Sequence, residues 1–216
     1  MVMESLLIYC LASFMSTIKL FFTFKMIRVS MLMAVTGVVL AVYSALLVPL
    51  ISNTVNGDDD KKLTKALYWM IIFGCGEVSG ALIISRIIDK FGNRTGVITA
   101  TLVVVCTVAV TVYTHSREKY DVLWFLVALA WGLSDSQTNT VWSTICNSEF
   151  ETTIEPFAIL KFVQSIVVCG VVILESEIKK EDQIEEQRWY LISTGIFSLF
   201  CGIACASVNF KSKNRN

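Results

Sequence analysis

Long apolar stretches separated by short charged ones set the pattern of this chain. Six stretches, 31–53, 66–88, 96–114, 122–143, 157–174 and 189–208, approach the roughly 20 apolar residues that a helix needs to cross a hydrocarbon core of about 30 Å. None alternates apolar and polar residues as a barrel strand does. Backbone polar groups in lipid must be satisfied within the spanning element, so helices are predicted. Trp69, Trp124, Trp142 and Trp189 lie near the ends of these stretches, where indoles anchor a helix at the membrane interface. A further stretch, 6–24, is apolar enough to span but holds Lys19 and leads into Lys25 and Arg28. It reads as a seventh span, as an amphipathic helix lying on the membrane, or as the tail of a preceding helix. A cleaved signal peptide is not expected, because Glu4 and no basic residue precedes it.

The connections are short and charged: 57–62, 86–94, 115–121, 146–155 and 175–188, followed by a basic tail at 209–216. Six spans place alternate connections on opposite sides. One side then receives Lys19, Lys25, Arg28, Arg86, Lys90, Arg94, Lys161 and the tail, ten of the 18 Lys and Arg residues. That is a small positive-inside bias, which alone does not orient the chain. The predicted organisation is an extra or amphipathic helix at 1–30, a six-helix membrane domain at 31–208 and the tail.

Composition narrows the function classes. Hydrophobic residues make up 55% and charged residues 17% of the chain, with a mean hydropathy of +0.65. Soluble domains carry about a quarter charged residues. A net charge of zero gives no electrostatic footprint for nucleic acid. The seven cysteines include no C-x-x-C pair, and most lie in apolar stretches. They argue against a disulfide framework or a zinc site and read as small hydrophobes, with Cys201 and Cys205 on one helix face. His115 stands alone in a connection and is expected to be an exposed bystander. There is no nucleophile elbow, phosphate loop or catalytic carboxylate pair, so neither an enzyme nor a cofactor is expected.

Ionisable residues inside apolar helices are costly and are functional candidates by default. Asp135 lies in the fourth stretch within a polar run, 134–140, that includes Gln137 and Asn139. The run has two readings: a functional site around Asp135, or hydrogen-bonding glue between helices. Glu77 is a second acid in a span, beside Gly76 and Gly80, whose G-x-x-x-G spacing suits close helix approach. Lys161 and Gln164 share the next-to-last stretch, where Lys161 can snorkel to the interface or pair with Asp135. In the second connection, Asp89, Lys90, Gly92 and Arg94 form an acid, base, x, Gly, x, base pattern. Asp89 could sit against the positive N-terminus of a neighbouring helix, such as the one opening at Glu155 and Pro156, and bias a rocking equilibrium. Asn93 heads a formal glycosylation sequon that a cytoplasmic connection would leave unused.

That second connection resembles the signature loop of the major facilitator superfamily, with Ser85 where the loop usually has Gly. A longer resemblance covers residues 17–208 in order. Gly132, Ser134, Asp135 and the Asn/Gln/Thr run, followed by Phe157, Ala158, Lys161, Gln164 and Ser165, are similar to the C-terminal half of the uncoordinated-ninety-three family. Thr36, Gly37, Tyr43 and Ser44 resemble its opening span, and Gly74, Gly76, Glu77 and Gly80 its second. The resemblance implies an all-α membrane protein with the six-helix half of a major-facilitator-like fold. It implies a non-enzymatic regulator or trafficking factor for a membrane channel or receptor, in a bilayer. The partner it implies is a second half-domain, another copy or that channel. Half of a secondary transporter coupled to protons or cations is the alternative, with Asp135 and Glu77 as its ion sites.

Overall fold

The computed structural model describes residues 2–47, 59–117, 122–152, 154–177 and 183–210, and all of its regular elements are helical. They are α1 (Val2–Phe21), α2 (Phe24–Ala41, passing into a π-helical turn at Val42–Leu47), α3 (Asp59–Phe91), α4 (Asn93–His115), α5 (Leu123–Glu149), α6 (Ile154–Ser176) and α7 (Gln183–Ala206). The end of the first predicted span and residues 211–216 of the basic tail lie outside the described residues.

Among the described residues, five helices contain segments long and apolar enough to cross a membrane: Phe24–Ala45, Leu63–Phe91, Asn93–His115, Ile154–Ser176 and Glu185–Ala206. Of the six predicted spans, α5 is the one that falls short of that measure. This helix forms where predicted but is not among the five, because the polar run 134–140 dilutes its apolar content. Position explains the tolerance. Helix α5 packs on α2, α3 and α4, and Trp124, Val127, Trp131, Ser134, Thr138 and Ile145 are almost wholly buried. Its surface meets protein more than lipid, so its polar groups find partners. The Trp131 indole N–H donates to Thr111 Oγ1 at 2.9 Å, and the hydroxyls of Thr107 and Ser134 are 2.8 Å apart.

Charge proves a poor marker of helix ends. Helix α2 starts at Phe24, ahead of the predicted boundary at 31, with the Thr23 hydroxyl accepting from the Met26 N–H as its cap. Lys25 and Arg28 are accommodated within the helix because both reach partners: Lys25 pairs with Glu149 at 2.7 Å and Arg28 donates to the Ser207 carbonyl at 3.1 Å. The expected charged connection at 86–94 is helical except for Gly92, whose φ of 88° lies in the left-handed region that favours glycine. His115 belongs to the last turn of α4 and is buried, contrary to the expectation of an exposed bystander.

Helix pairing has an internal symmetry. Helix α3 packs on α5 as α6 packs on α2; α4 lies on α5 as α7 lies on α2; and α2 meets α5 while α4 meets α7. Exchanging α2, α3 and α4 with α5, α6 and α7 leaves these pairs unchanged, whereas the further packing of α3 on α4 is not matched between α6 and α7. Lys25 at the start of α2 meets Glu149 at the end of α5, so the two leading helices run antiparallel. Helix α1 stands outside the arrangement and packs mainly along α6.

Three tryptophans expected at the interface are core residues. Trp69, Trp124 and Trp142 are buried, while Trp189 is 67% exposed. Two of the buried indoles are accommodated because their N–H groups have acceptors: Trp69 donates to the Trp124 carbonyl at 2.9 Å and Trp142 to Asn139 Oδ1 at 3.1 Å. The closest backbone approach is between α3 and α5. A Cβ on Gly76 would collide with the Leu129 carbonyl, one on Gly132 with the Phe73 carbonyl, and one on Gly80 with the Ser136 hydroxyl. The predicted G-x-x-x-G face is therefore a packing face, whereas Gly74 looks into open space.

Candidate functional site

The contact between α3 and α5 places two carboxyls side by side. A Cβ on Gly132 would come within 3.0 Å of the Glu77 amide nitrogen, and Asp135 stands on the next turn of α5. The Asp135 and Glu77 carboxyls lie close enough to act on each other electrostatically. Asn139, one turn further along α5, donates to the Asp135 carbonyl at 2.9 Å and also reaches the Asp135 carboxyl.

The cluster continues onto α6. Asn139 Oδ1 accepts from the Trp142 indole, and the Lys161 ammonium lies 5.3 Å from the centre of a Trp142 ring. Lys161 also donates to Gln164 Oε1 at 2.8 Å, and its charge acts on Asp135. From the π-helical turn after α2, Tyr43 senses both acids while its ring stacks on Phe73 at 4.0 Å and Trp69 at 5.5 Å. Glu77, Asp135, Asn139, Lys161 and Gln164, contributed by three helices, thus form one seam. Glu77, Asp135 and Asn139 are half-buried and Lys161 is exposed, so the seam opens on one side of the bundle. Elsewhere on α6, Phe162 and Ile166 are largely exposed, and Phe162 borders a groove against α1.

Sequence reasoning did not single out Tyr43 or Trp142 for this site. Trp142 had a readable signal, because position i+3 from Asn139 shares its helix face. Tyr43 had none, since the π-helical turn that aims it cannot be read from spacing. Gln137 does not join the seam. Two residues beyond Asp135 it points elsewhere, 3% exposed, with Oε1 lacking a hydrogen-bond partner.

The remaining candidates lie at the far end of the bundle. Asp89, Lys90 and Arg94 are exposed around Gly92, and Lys90 lies 5.2 Å from the Phe91 ring centre. An acid not singled out beforehand, Glu149, joins the helices here. It is 5% exposed, takes the Lys25 ammonium at 2.7 Å and accepts a longer contact from Asn93 at 3.4 Å, while Asn93 also donates to the Ser148 hydroxyl at 2.8 Å. The network connects the starts of α2 and α4 to the end of α5. Among the described residues, no group of three His, Cys, Asp or Glu could hold a metal ion.

The family profile described as ion channel regulatory protein UNC-93 matches residues 8–206 of the chain. No curated protein and no solved structure matches it.

Proposed function

Because the chain belongs to the UNC-93 family of ion channel regulatory proteins, we propose that it regulates or traffics a membrane partner as one six-helix, major-facilitator-like half. The antiparallel exchange of α2–α3–α4 with α5–α6–α7 supports that architecture, because inverted three-helix repeats build such halves. The observation that carries the functional reading is the seam. Charged and amide side chains on an uncovered helix face are poorly served by lipid. A second half-domain, another copy or a channel subunit would supply their partners.

Cross-linking in native membranes tests this. Cysteine at Lys161 should give species heavier than a monomer, whereas cysteine at Ile203, a 63% exposed position on α7, should not. Monomer alone from Lys161→Cys, or equal yields from both positions, would count against the reading.

A second reading rests on the adjoining carboxyls of Glu77 and Asp135 with Lys161 nearby. Such a group can take up and release a proton or bind a small cation, as half of a coupled transporter would require. A pH-dependent transport current lost in Asp135→Asn, with membrane insertion intact, would favour it over the regulatory reading.

A further inference from the structure

A groove of about 540 Å³ runs between α4 and α7, two helices that contribute nothing to the seam. Val105, Val108 and Val112 line it from α4, and Ile192, Ile196 and Leu199 from α7. The helices come close at its floor, where a Cβ on Gly195 would stand 3.2 Å from Val108 Cγ1. Further along α7, Gly202 meets Thr101, which lies the same distance back along α4 from Val108. The pair is therefore antiparallel in fixed register, and Trp189 falls level with Tyr113 to within one residue.

Both rings are exposed, Trp189 by 67% and Tyr113 by 60%. They stand near the same end of the spans Asn93–His115 and Glu185–Ala206, where exposed aromatic rings mark the membrane interface. Tyr113 lines the groove, and one turn outward Arg117 holds its guanidinium 5.8 Å from the Tyr113 ring centre. The groove thus has a hydrogen-bonding mouth at the boundary. Its aliphatic interior runs about 12 Å along α4 from Tyr113 to Val105, at the rise of an α-helix.

Three observations select an occupant. Valine and isoleucine dominate the walls, and their few rotamers keep the groove in one shape. A fixed groove favours a rigid body, which has no chain freedom to lose on binding. Among the described lining residues only Tyr113 has a polar side chain, which suits a head as small as one hydroxyl. A hydroxyl both donates and accepts, so a phenol and a guanidinium N–H answer it fully. Finally, Val110, Tyr113 and Arg117 follow the order V-x-x-Y-x-x-x-R, a spacing of the kind associated with sterol contact. The fold sets that Tyr at the mouth of a groove and that Arg just outside it. An acyl chain lacks the rigidity, and a phospholipid head is larger than the mouth's single phenol can serve.

We infer that the groove between α4 and α7 is a sterol site, with the ring system against Val108, Val112 and Ile196 and the sterol hydroxyl at Tyr113 and Arg117. The seam plays no part in it, so the inference stands or falls apart from the regulatory reading.

Photolabelling of the full chain in proteoliposomes of choline phospholipid tests it, with a diazirine-bearing sterol as the probe and labelled residues located by mass spectrometry. Label should concentrate on residues 105–113 and 192–199. Unlabelled sterol should displace it, whereas the 3-epimer, whose hydroxyl leaves the ring on the other face, and added glycerol phospholipid should not. Ala109→Phe, which sends a ring into the groove from an exposed position, should abolish that label with an unchanged thermal midpoint. Should Ala109→Phe not fold, Tyr113→Phe, which removes only the hydroxyl, should cut the label by about fivefold, the weight of one neutral hydrogen bond. Label spread evenly over the exposed faces of other helices, displacement by the epimer or by glycerol phospholipid, or label undiminished in folded Ala109→Phe or in Tyr113→Phe would overturn the assignment.

Discussion

Asp135 is answered from three directions: by Glu77 on α3, by Asn139 on its own helix and by the charge of Lys161 on α6. Asparagine keeps the shape and one acceptor oxygen, so Asp135→Asn should insert and fold like the wild type. Leucine offers nothing to the partners left behind. Asp135→Leu should lower stability by about 1–3 kcal/mol, the usual cost of stranding buried polar groups. Unfolding in detergent measures both, and equal stability of the two variants would remove Asp135 from the network. At the opposite end, Lys25→Met removes the 2.7 Å cationic partner of the buried Glu149 carboxylate. It should destabilise more than Glu149→Gln, which removes the buried charge itself. The same denaturation assay checks the order, and the reverse order would contradict it.

At the scale of elements, the decisive contact is between α3 and α5. A Cβ on Gly132 meets the rigid Phe73 carbonyl, so the helices must separate to admit it. Gly132→Ala should cost about 1–3 kcal/mol by overpacking and displace Glu77 from Asp135. Gly74→Ala, on the same pair of helices but facing open space, should be neutral or stabilise by about 0.4–1 kcal/mol. The thermal midpoint should fall in Gly132→Ala and hold or rise in Gly74→Ala; a similar loss in both would contradict the packing account. The helices themselves were largely legible in sequence because apolar length is a strong signal. Their ends were not. Lys25 and Arg28 suggested a boundary but lie inside α2, since their partners, Glu149 and Ser207, are far along the chain. The indoles of Trp69, Trp124 and Trp142 suggested interfaces for a similar reason: burial depends on acceptors supplied by the fold, which local pattern does not reveal.

For the whole molecule, the candidate site divides into a part that was readable and a part that was not. Glu77, Asp135, Asn139, Lys161 and Gln164 each stood out as polar groups in apolar surroundings, and tertiary structure brings them together. Gln137 had the same credentials but points away, because two positions along a helix change the face. Six alternating crossings would put Asn93 and Ser212 on the same side of the membrane. Cysteines placed there should label from one side only, and labelling from opposite sides would contradict the topology. The central claim is that the face bearing Lys161 is covered by protein in the membrane. Fluorescence quenching by brominated lipid tests it most directly, with a probe at Ser165, exposed one turn beyond Lys161, and a control probe at Ile203 on α7. In native membranes the account predicts strong quenching at Ile203 and little at Ser165; equal strong quenching at both would show lipid on the seam and contradict it.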